Sequence, residues 1–582
     1  MNSVIFQKLI RLNDAEVKHA LEYQIVDGGR NDGGIIDRYS GLANASHGGT
    51  AAYMASMTAA LYTKESSYYR NTQVCVALEK AAQFMLQRQH EDGTISLGST
   101  NFNSPPDTAF VVNGMAQIYS VLSDGAWEEA MPVAGQIKTF LQRAIPAMLT
   151  GGGHTPNHRW VLTAALSNLY RIFGDESLRA RAEEWLAEGL DCTEDGEWTE
   201  RSNGIYNAVT NIMFIYSSIG FNKPELLESV RKNLEMMAYL VFDDGEVVTD
   251  YSGRQDWGAK HNLSEYFLCY QWMAEHDCNP LFAAMYDLAA ATLTHLGPVN
   301  NHALLGSICF PCPDVEQLPR TPLPDNFKKV LNVSYPMNDQ LQQMESVGHH
   351  GIIQHSSMHT SFGAPVMRYK EGERSAMLMS GTSSFFSLRN GDARLLAVSL
   401  ATTFTPGIVP MENFVETEQG CTFSTTQEKG YYGPIPTQHL PASVQAPISP
   451  WYLLPHQHRP YTHVQQHTFN TEIIQEEDDW LIRIESDKRQ DVVTQLTLLF
   501  PRDMQLSGSG LQKAGEGISL WSSGELLARS GSYSLQLSGG AKHHNIIHMR
   551  NSLAQGDAQK VIINLVTPFI YELRITLSPT FH

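Results

Sequence analysis

Four Asp-Gly loops recur through the first half of this chain: NDGGII around Asp32, EDGTIS around Asp92, EDGEWTE around Asp195 and DDGEVVTD around Asp244. The interval between the second and third is about twice the others, and a glycine-opened loop, GGGHTPNH from Gly151, falls inside it. Between the loops, apolar residues recur at three and four. Cys75, Leu78, Ala82, Met85 and Leu86 form one stripe; Leu162, Leu166, Leu169 and Phe173 form another, stopped by Gly174. Leu178, Ala182, Trp185 and Leu186 supply a third, and Leu227, Val230, Leu234 and Met237 a fourth, after Asn222 and Pro224 as start signals. Each repeat is a helical pair plus a loop, and such a unit buries its apolar face only against its neighbours. Stacked pairs extend as a solenoid or close into a ring. Loops loaded with polar and aromatic residues at one end favour the ring, where they line a common cleft. The expectation is an α/α toroid over residues 1–310. The structural alternative is that Asp-Gly is ordinary turn chemistry.

Prolines crowd positions 311, 313, 319, 322, 324 and 336, which neither a helix nor a central strand tolerates, so 311–345 reads as a linker. Beyond it the period changes to two. Trp480, Ile482 and Ile484 alternate with Leu481, Arg483 and Glu485, and the runs VVTQLTLLF and KVIINLV follow. Residues 346–582 are expected to form an antiparallel β-sandwich. A second proline-rich stretch, Pro434 to Pro460, reads as a long excursion from the sheet, over the cleft or at a subunit contact. It is too long for a hairpin turn and leaves homo-oligomer formation open.

A net charge of −20 repels phosphate backbones and anionic lipid, so no nucleic acid and no membrane partner is expected. Seven cysteines without framework spacing read as reduced thiols. Lys8, Arg11, Asp14 and Glu16 interrupt the apolar N-terminus, which lacks the h-region of a signal peptide. A cytoplasmic location is the expectation.

The loops carry the candidate chemistry. GGGHTPNHRW packs His154, Asn157, His158 and Arg159 before a helix; the alternative for Asn157 is an N-cap. DGEWTERSNGIYN places Glu197, Glu200, Arg201, Tyr206 and Asn207 at a similar position in the next repeat, with a Glu-Arg surface pair as the bland reading. TNFNSPPDTAF offers Asn101, Asn103 and Asp107, where Asp107 taken alone reads as a cap. YSGRQDWGAKHN adds Tyr251, Arg254, Asp256, Trp257 and His261, with Arg suited to a carboxylate and Trp to a sugar face.

The β part opens with GHHGIIQHSSMHTSFG, carrying His349, His350, His355 and His359. The i, i+4 spacing of His355 and His359 suits a metal only on a helix, and Gly351 with the Ser-Ser pair argues for strand or loop, so no metal is expected. PHQHRPYTH and the pair His543, His544 lack a carboxylate or cysteine at ligand spacing, and Cys309 and Cys312 form a single CxxC. Glycine-rich phosphate loops, GxSxG and HExxH are absent, so no cofactor is expected and the chemistry falls to Tyr, His, Asn, Arg and carboxylates.

A helical toroid followed by an antiparallel sandwich, with the segment DGEWTERSNGIY, resembles the heparinase II/III type of polysaccharide lyase and its relatives. The resemblance covers almost the whole chain. It implies Tyr206 as the catalytic tyrosine and Asn157 on the Asn-bearing loop about 50 residues upstream. It also implies a histidine from the start of the sandwich, His355 or His359, with His350 as a further candidate. No counterpart of the family's sandwich metal site is visible. Glycoside hydrolases that remove terminal uronic acids use a similar architecture, so the resemblance leaves two reactions open on an acidic oligosaccharide. In β-elimination the uronate carboxyl is neutralised, by Asn157 with Arg159 or a histidine such as His158, and Tyr206 moves the proton. In hydrolysis two carboxylates flank the bond, with Asp107, Glu200, Asp250 and Asp256 as candidates. A non-catalytic sugar-binding protein needs only the aromatics.

Overall fold

The helices run α1 (Val4–Tyr23), α2 (Thr50–Tyr62), α3 (Thr72–Arg88), α4 (Pro105–Asp124), α5 (Met131–Thr150) and α6 (Pro156–Phe173). They continue with α7 (Glu176–Leu186), α8 (Tyr206–Phe221), α9 (Leu227–Met237), α10 (Phe267–Asp277) and α11 (Pro280–Thr292) in a computed structural model. The structure describes residues 3–124, 127–294, 305–334, 343, 364–440, 448–477 and 479–579. Even-numbered helices pack on one another in order and form the inner layer, while α3, α5, α7 and α9 back them from outside. The sequence separates the two layers. In α9, Leu227, Val230, Leu234 and Met237 are buried while Glu228, Arg231 and Glu235 are not, as an outer helix with one apolar stripe requires. In α2 every residue from Thr50 to Leu61 is buried, because an inner helix is covered on all sides. The ring closes. Lys8 of α1 donates from Nζ to the carbonyls of Ala290 (2.6 Å) and Ala291 (3.2 Å) at the end of α11.

All the Asp-Gly loops join an outer helix to the next inner one, as does the Gly151 loop. Three share one hydrogen-bond pattern. Gly93 N–H donates to His90 O and His90 N–H to Thr94 O; Gly196 and Thr193, then Gly245 and Phe242, repeat it with Glu197 and Glu246. This is a tight turn closed by a left-handed glycine, with φ +83°, +97° and +80° at Gly93, Gly196 and Gly245. Each turn docks on the following outer helix. A Cβ at Gly93 would stand 2.1 Å from Arg143 O of α5, and one at Gly196 would stand 2.3 Å from Lys232 O of α9. The Asp-Gly pairs are thus structural turns, and the chemistry of these loops starts a few residues later. Gly93→Ala is expected to combine about 2 kcal/mol of backbone strain with a backbone clash. Gly98→Ala, at φ +88° with nothing within 4 Å, carries the strain alone. A larger fall in thermal midpoint for Gly93→Ala than for Gly98→Ala is the expected result; equal falls would refute the docking role.

Gly174 caps α6 in the left-handed conformation, as its position after Phe173 predicts. Asn222, read as a start signal, instead ends α8 as its left-handed C-cap. The proline-rich segment departs from a free linker at both ends. Arg320 pairs with Asp287 of α11 through two bonds, 2.8 and 2.9 Å, and Phe327–Leu331 is already a strand, paired antiparallel with Val366–Glu371.

The second unit holds a ten-stranded and an eight-stranded sheet among the described residues. The runs read as strands are Val493–Pro501 and Ala558–Val566, adjacent in the larger sheet with Leu496 opposite Ile563. Trp480, Ile482 and Ile484 of the smaller sheet share one buried core with Leu496, Leu498 and Ile563. Among the described strands one ladder departs from antiparallel: Ile518–Trp521 runs parallel to Ala558–Val566. The proline-rich excursion joins Gly420–Tyr432 to Tyr461–Glu476, which pair as a long antiparallel hairpin. No cysteine pair is bonded, and burial pushes the thiols of Cys309 and Cys312 up to about 12. No described helix is long and apolar enough to cross a membrane.

Candidate active site

Five connections place the N-termini of α2, α4, α6 and α8, and the short Leu263–Tyr266 turn before α10, at one end of the ring. At α6 the N-cap residue Thr155 makes no capping bond. A carboxylate from the next repeat does so instead: Glu200 Oε2 accepts from Asn157 N–H (2.9 Å), and Asn157 Nδ2 donates to both Glu200 oxygens (2.6 and 2.7 Å). Helix N–H groups favour an anion at that point. Asn157 Nδ2 also reaches Thr155 Oγ1 (3.0 Å), while the buried Oδ1 has no partner among the described residues.

Arg254 closes the arrangement from the following loop. Its Nη1 donates to Glu200 Oε1, and its guanidinium carbon stands 4.3 Å from the centre of the Tyr206 ring. Its Nε bonds Gln255 Oε1 (3.3 Å), whereas Nη2 makes no hydrogen bond among the described residues. Gln255 is exposed and donates from Nε2 to the Tyr206 hydroxyl (2.6 Å). Burial pushes Glu200 up to about 7, against the pull of Arg254 and of the Asn157 hydrogen bonds. Burial also raises the half-buried Tyr206, with Arg254 pulling the other way, so the phenol rests protonated near neutral pH.

Asp256 fastens the loops together. It accepts from Ser202 Oγ (2.9 Å), Gly204 N–H (2.9 Å) and Ser252 Oγ (2.8 Å) and is fully buried. Ser202 Oγ in turn accepts from Tyr206 N–H (3.2 Å), which fixes the first turn of α8.

Other residues chosen from sequence lie elsewhere. Arg201 is 5% exposed, at φ +48°, beside Glu197 and Tyr251, so it is not offered to a ligand. Arg159 pairs with Glu188 (2.9 Å) and Asp191 (3.1 Å). His158 Nδ1 accepts from His154 N–H (3.1 Å). Asp107 sits in a reciprocal cap of α4: its N–H donates to Ser104 Oγ (3.2 Å), and its Oδ2 accepts from Ser104 Oγ and Asn101 Nδ2 (2.9 Å). Tyr251 and Asn207 are buried in hydrogen bonds to Asn203. Trp257 is half-buried with its indole N–H on Asp250 O, and the His261 ring packs against Gly204. His350, His355 and His359 lie outside the described residues. Gln255, between Arg254 and Asp256, carries no sequence signal of its own; only its contact with the Tyr206 hydroxyl marks it. No group of three or more His, Cys, Asp or Glu among the described residues is arranged to hold a metal ion.

No family model and no curated protein matches the chain. Among solved structures, heparinase III aligns over 97% of this chain and 84% of its own, with a TM-score of 0.50 and 10% identity. The Streptomyces coelicolor A3 chondroitin AC lyase in complex with chondroitin sulphate aligns over 99% and 97%, at 0.41 and 10%. A GH127 β-L-arabinofuranosidase from Geobacillus stearothermophilus T6 aligns over 97% and 93%, at 0.28 and 10%. The chain is a toroid-plus-sandwich protein. Its fold is that of heparinase III, which agrees with the resemblance carried by the DGEWTERSNGIY segment.

Proposed function

We propose that the chain is a carbohydrate-active enzyme that cleaves uronate-bearing oligosaccharides by β-elimination. The observation that carries this reading is the Arg254 guanidinium, held by Glu200 through Nη1 and stacked over Tyr206, with Nη2 uncommitted among the described residues. A substrate carboxylate that bonds Nη2 has its charge neutralised, and the neighbouring α-proton becomes easier to remove. Tyr206, kept protonated by burial, then gives its proton to the departing glycosidic oxygen as the carbon–oxygen bond breaks and the double bond forms. The α-proton goes to a second group, for which the resemblance supplies His355 or His359. Hydrolysis is the less favoured reading because its carboxylates are engaged: Asp107 in a cap, Asp256 in three hydrogen bonds and Glu200 with Arg254. Seven unbonded thiols support a reducing, cytoplasmic setting, in which the substrate is a short oligosaccharide.

Incubation with a glucuronate-containing oligosaccharide is expected to raise absorbance in the ultraviolet band of an unsaturated uronate. A carboxyl-reduced analogue loses one charge-assisted bond, about 1.5–3 kcal/mol, and should bind at least tenfold more weakly. Release of saturated uronic acid without that absorbance, or equal affinity for the two ligands, would overturn the reading.

A further inference from the structure

The hairpin of Gly420–Tyr432 and Tyr461–Glu476 outruns its sheet. The flanking strands Val415–Thr417 and Asp479–Ser486 pair with it only as far as Thr422 and Phe469. From Thr426 to Tyr432 and from Tyr461 to Thr468 it is a two-stranded ribbon, with no third strand on either edge among the described residues. Such a ribbon is marginally stable in water, and an unflanked edge is a template for another chain. The proline-rich excursion folds back on the ribbon's end to form an arm. Arg459 donates from Nη1 to Gly433 O (2.8 Å) and from Nε to His456 Nδ1 (3.0 Å), and its guanidinium carbon lies 4.3 Å from the centre of the Trp451 ring. His456 donates in turn from Nε2 to Trp451 O (2.7 Å). These bonds fix the short Trp451–Leu453 turn while leaving its side chains in solvent: Tyr452 is 91% and Leu453 87% exposed. Trp451, Ile448, Tyr431 and Tyr432 are exposed as well, and the Tyr432 ring stands 4.9 Å from that of the exposed Tyr461.

Area and charge narrow what can cover this surface. The arm's five aromatics, at about 150–250 Å² each and most of them more than half exposed, leave with Ile448 and Leu453 on the order of 1,000 Å² of apolar side chain open. The largest apolar patch of a monomer is roughly 300–600 Å². Two copies facing each other bury about twice the exposed area, which meets the roughly 1,200–2,000 Å² of a stable interface. Between Lys429 and Glu472, Arg459 is the one Lys, Arg, Asp or Glu in the sequence, and it is spent within the arm. The arm therefore has no free cation for a uronate, a phosphate or an anionic lipid. On a chain of net charge −20 it is instead the place where two copies meet without setting like charges against each other. Tyrosine and tryptophan in place of Asp, Glu and Lys are also what the core of an interface is made of. We propose that this arm is the contact through which two copies of the chain associate about a two-fold axis, each laying its ribbon end and its Trp451–Leu453 turn against the other's.

Sedimentation velocity of the full chain over a concentration series is expected to show a reversible dimer. Tyr452→Asp and Leu453→Asp each place a carboxylate in both halves of the contact and should weaken the dimer by ~10- to 100-fold. Both side chains stand in solvent, so the unfolding midpoint, measured where the parent is monomeric, should match the parent's. Gln512→Asp adds the same charge to the exposed face of the Leu511–Gly515 strand in the other sheet and should leave the dimer unchanged. Added salt screens the repulsion between two chains of like net charge and should strengthen the parent dimer. A parent that stays monomeric to its solubility limit, whether free or floating with phosphatidylcholine vesicles, overturns the proposal. So does a dimer that salt dissociates, or one that Tyr452→Asp and Leu453→Asp weaken no more than Gln512→Asp does.

Discussion

Tyr206→Phe is expected to lower the rate of elimination by about 10²- to 10⁴-fold, the usual worth of one acid–base group, with little change in stability. The geometry separates the two effects. Among the described residues the hydroxyl receives a single side-chain hydrogen bond, from the exposed Gln255 at 2.6 Å, so its loss costs the fold about 1 kcal/mol or less. The ring that supports Arg254 survives the change, since phenylalanine presents the same face to the guanidinium. Substrate affinity should therefore hold while the chemical step fails. The check is a single-turnover measurement of unsaturated-uronate absorbance beside direct titration with the same oligosaccharide. A rate within a fewfold of the parent would remove Tyr206 from the chemistry. Gln255→Ala, which frees the hydroxyl without deleting it, should have a much smaller effect.

The parts of the fold that were legible in the sequence are those with a strict local requirement. Gly93 and Gly196 must adopt positive φ beneath a neighbouring carbonyl, so Asp-Gly recurs at the handovers from outer to inner helix, the Gly151 loop excepted. The stripe of α9 shows because an outer helix meets solvent on its other face. Helix α2 shows no such stripe, since burial all round erases the contrast on which periodicity depends. Phe327–Leu331 was hidden among prolines because a short, half-buried edge strand carries little signal. At the site, Asn157, Glu200, Tyr206 and Arg254 were each visible as polar residues in recurrent loops. Their mutual pairing was not, because Glu200 and Arg254 come from different repeats and meet only through the curvature of the ring. Arg201 and Arg254 looked equivalent as text. The left-handed backbone at Arg201 turns it into the buried cluster with Glu197 and Tyr251, whereas Arg254 stands over the Tyr206 ring with an Nη2 that makes no hydrogen bond among the described residues.

Arg254→Ala is expected to destabilise the protein by about 3 kcal/mol at pH 8, because removing one partner of a buried ion pair strands the other. Glu200 is 2% exposed, and its carboxyl, pushed up to about 7 by burial, is already harder to ionise than an unfolded glutamate at about 4.3. The sign follows from that order. The folded state binds the proton more tightly, so the stability linked to Glu200 is fully present below the unfolded value and is lost as pH rises through about 7. Taking Arg254 away removes a force that favours the charged form, raises Glu200 further and extends that loss to higher pH. At pH 5.5 the carboxyl is protonated with or without the arginine, and the penalty should shrink to the lost packing on Tyr206. Glu200→Gln keeps an acceptor for the Asn157 N–H and amide, abolishes the titration and should flatten the stability profile between about pH 4 and 7. The Arg254→Ala, Glu200→Gln double variant is therefore expected to recover most of the stability lost at pH 8 without recovering activity, since the nitrogen offered to the uronate is still missing. Urea denaturation of the four proteins at pH 5.5 and pH 8 measures the cycle. An Arg254→Ala penalty that is the same at both pH values, or a double variant no more stable than the single one, would show that the Glu200–Arg254 pair is not the electrostatic centre of the site.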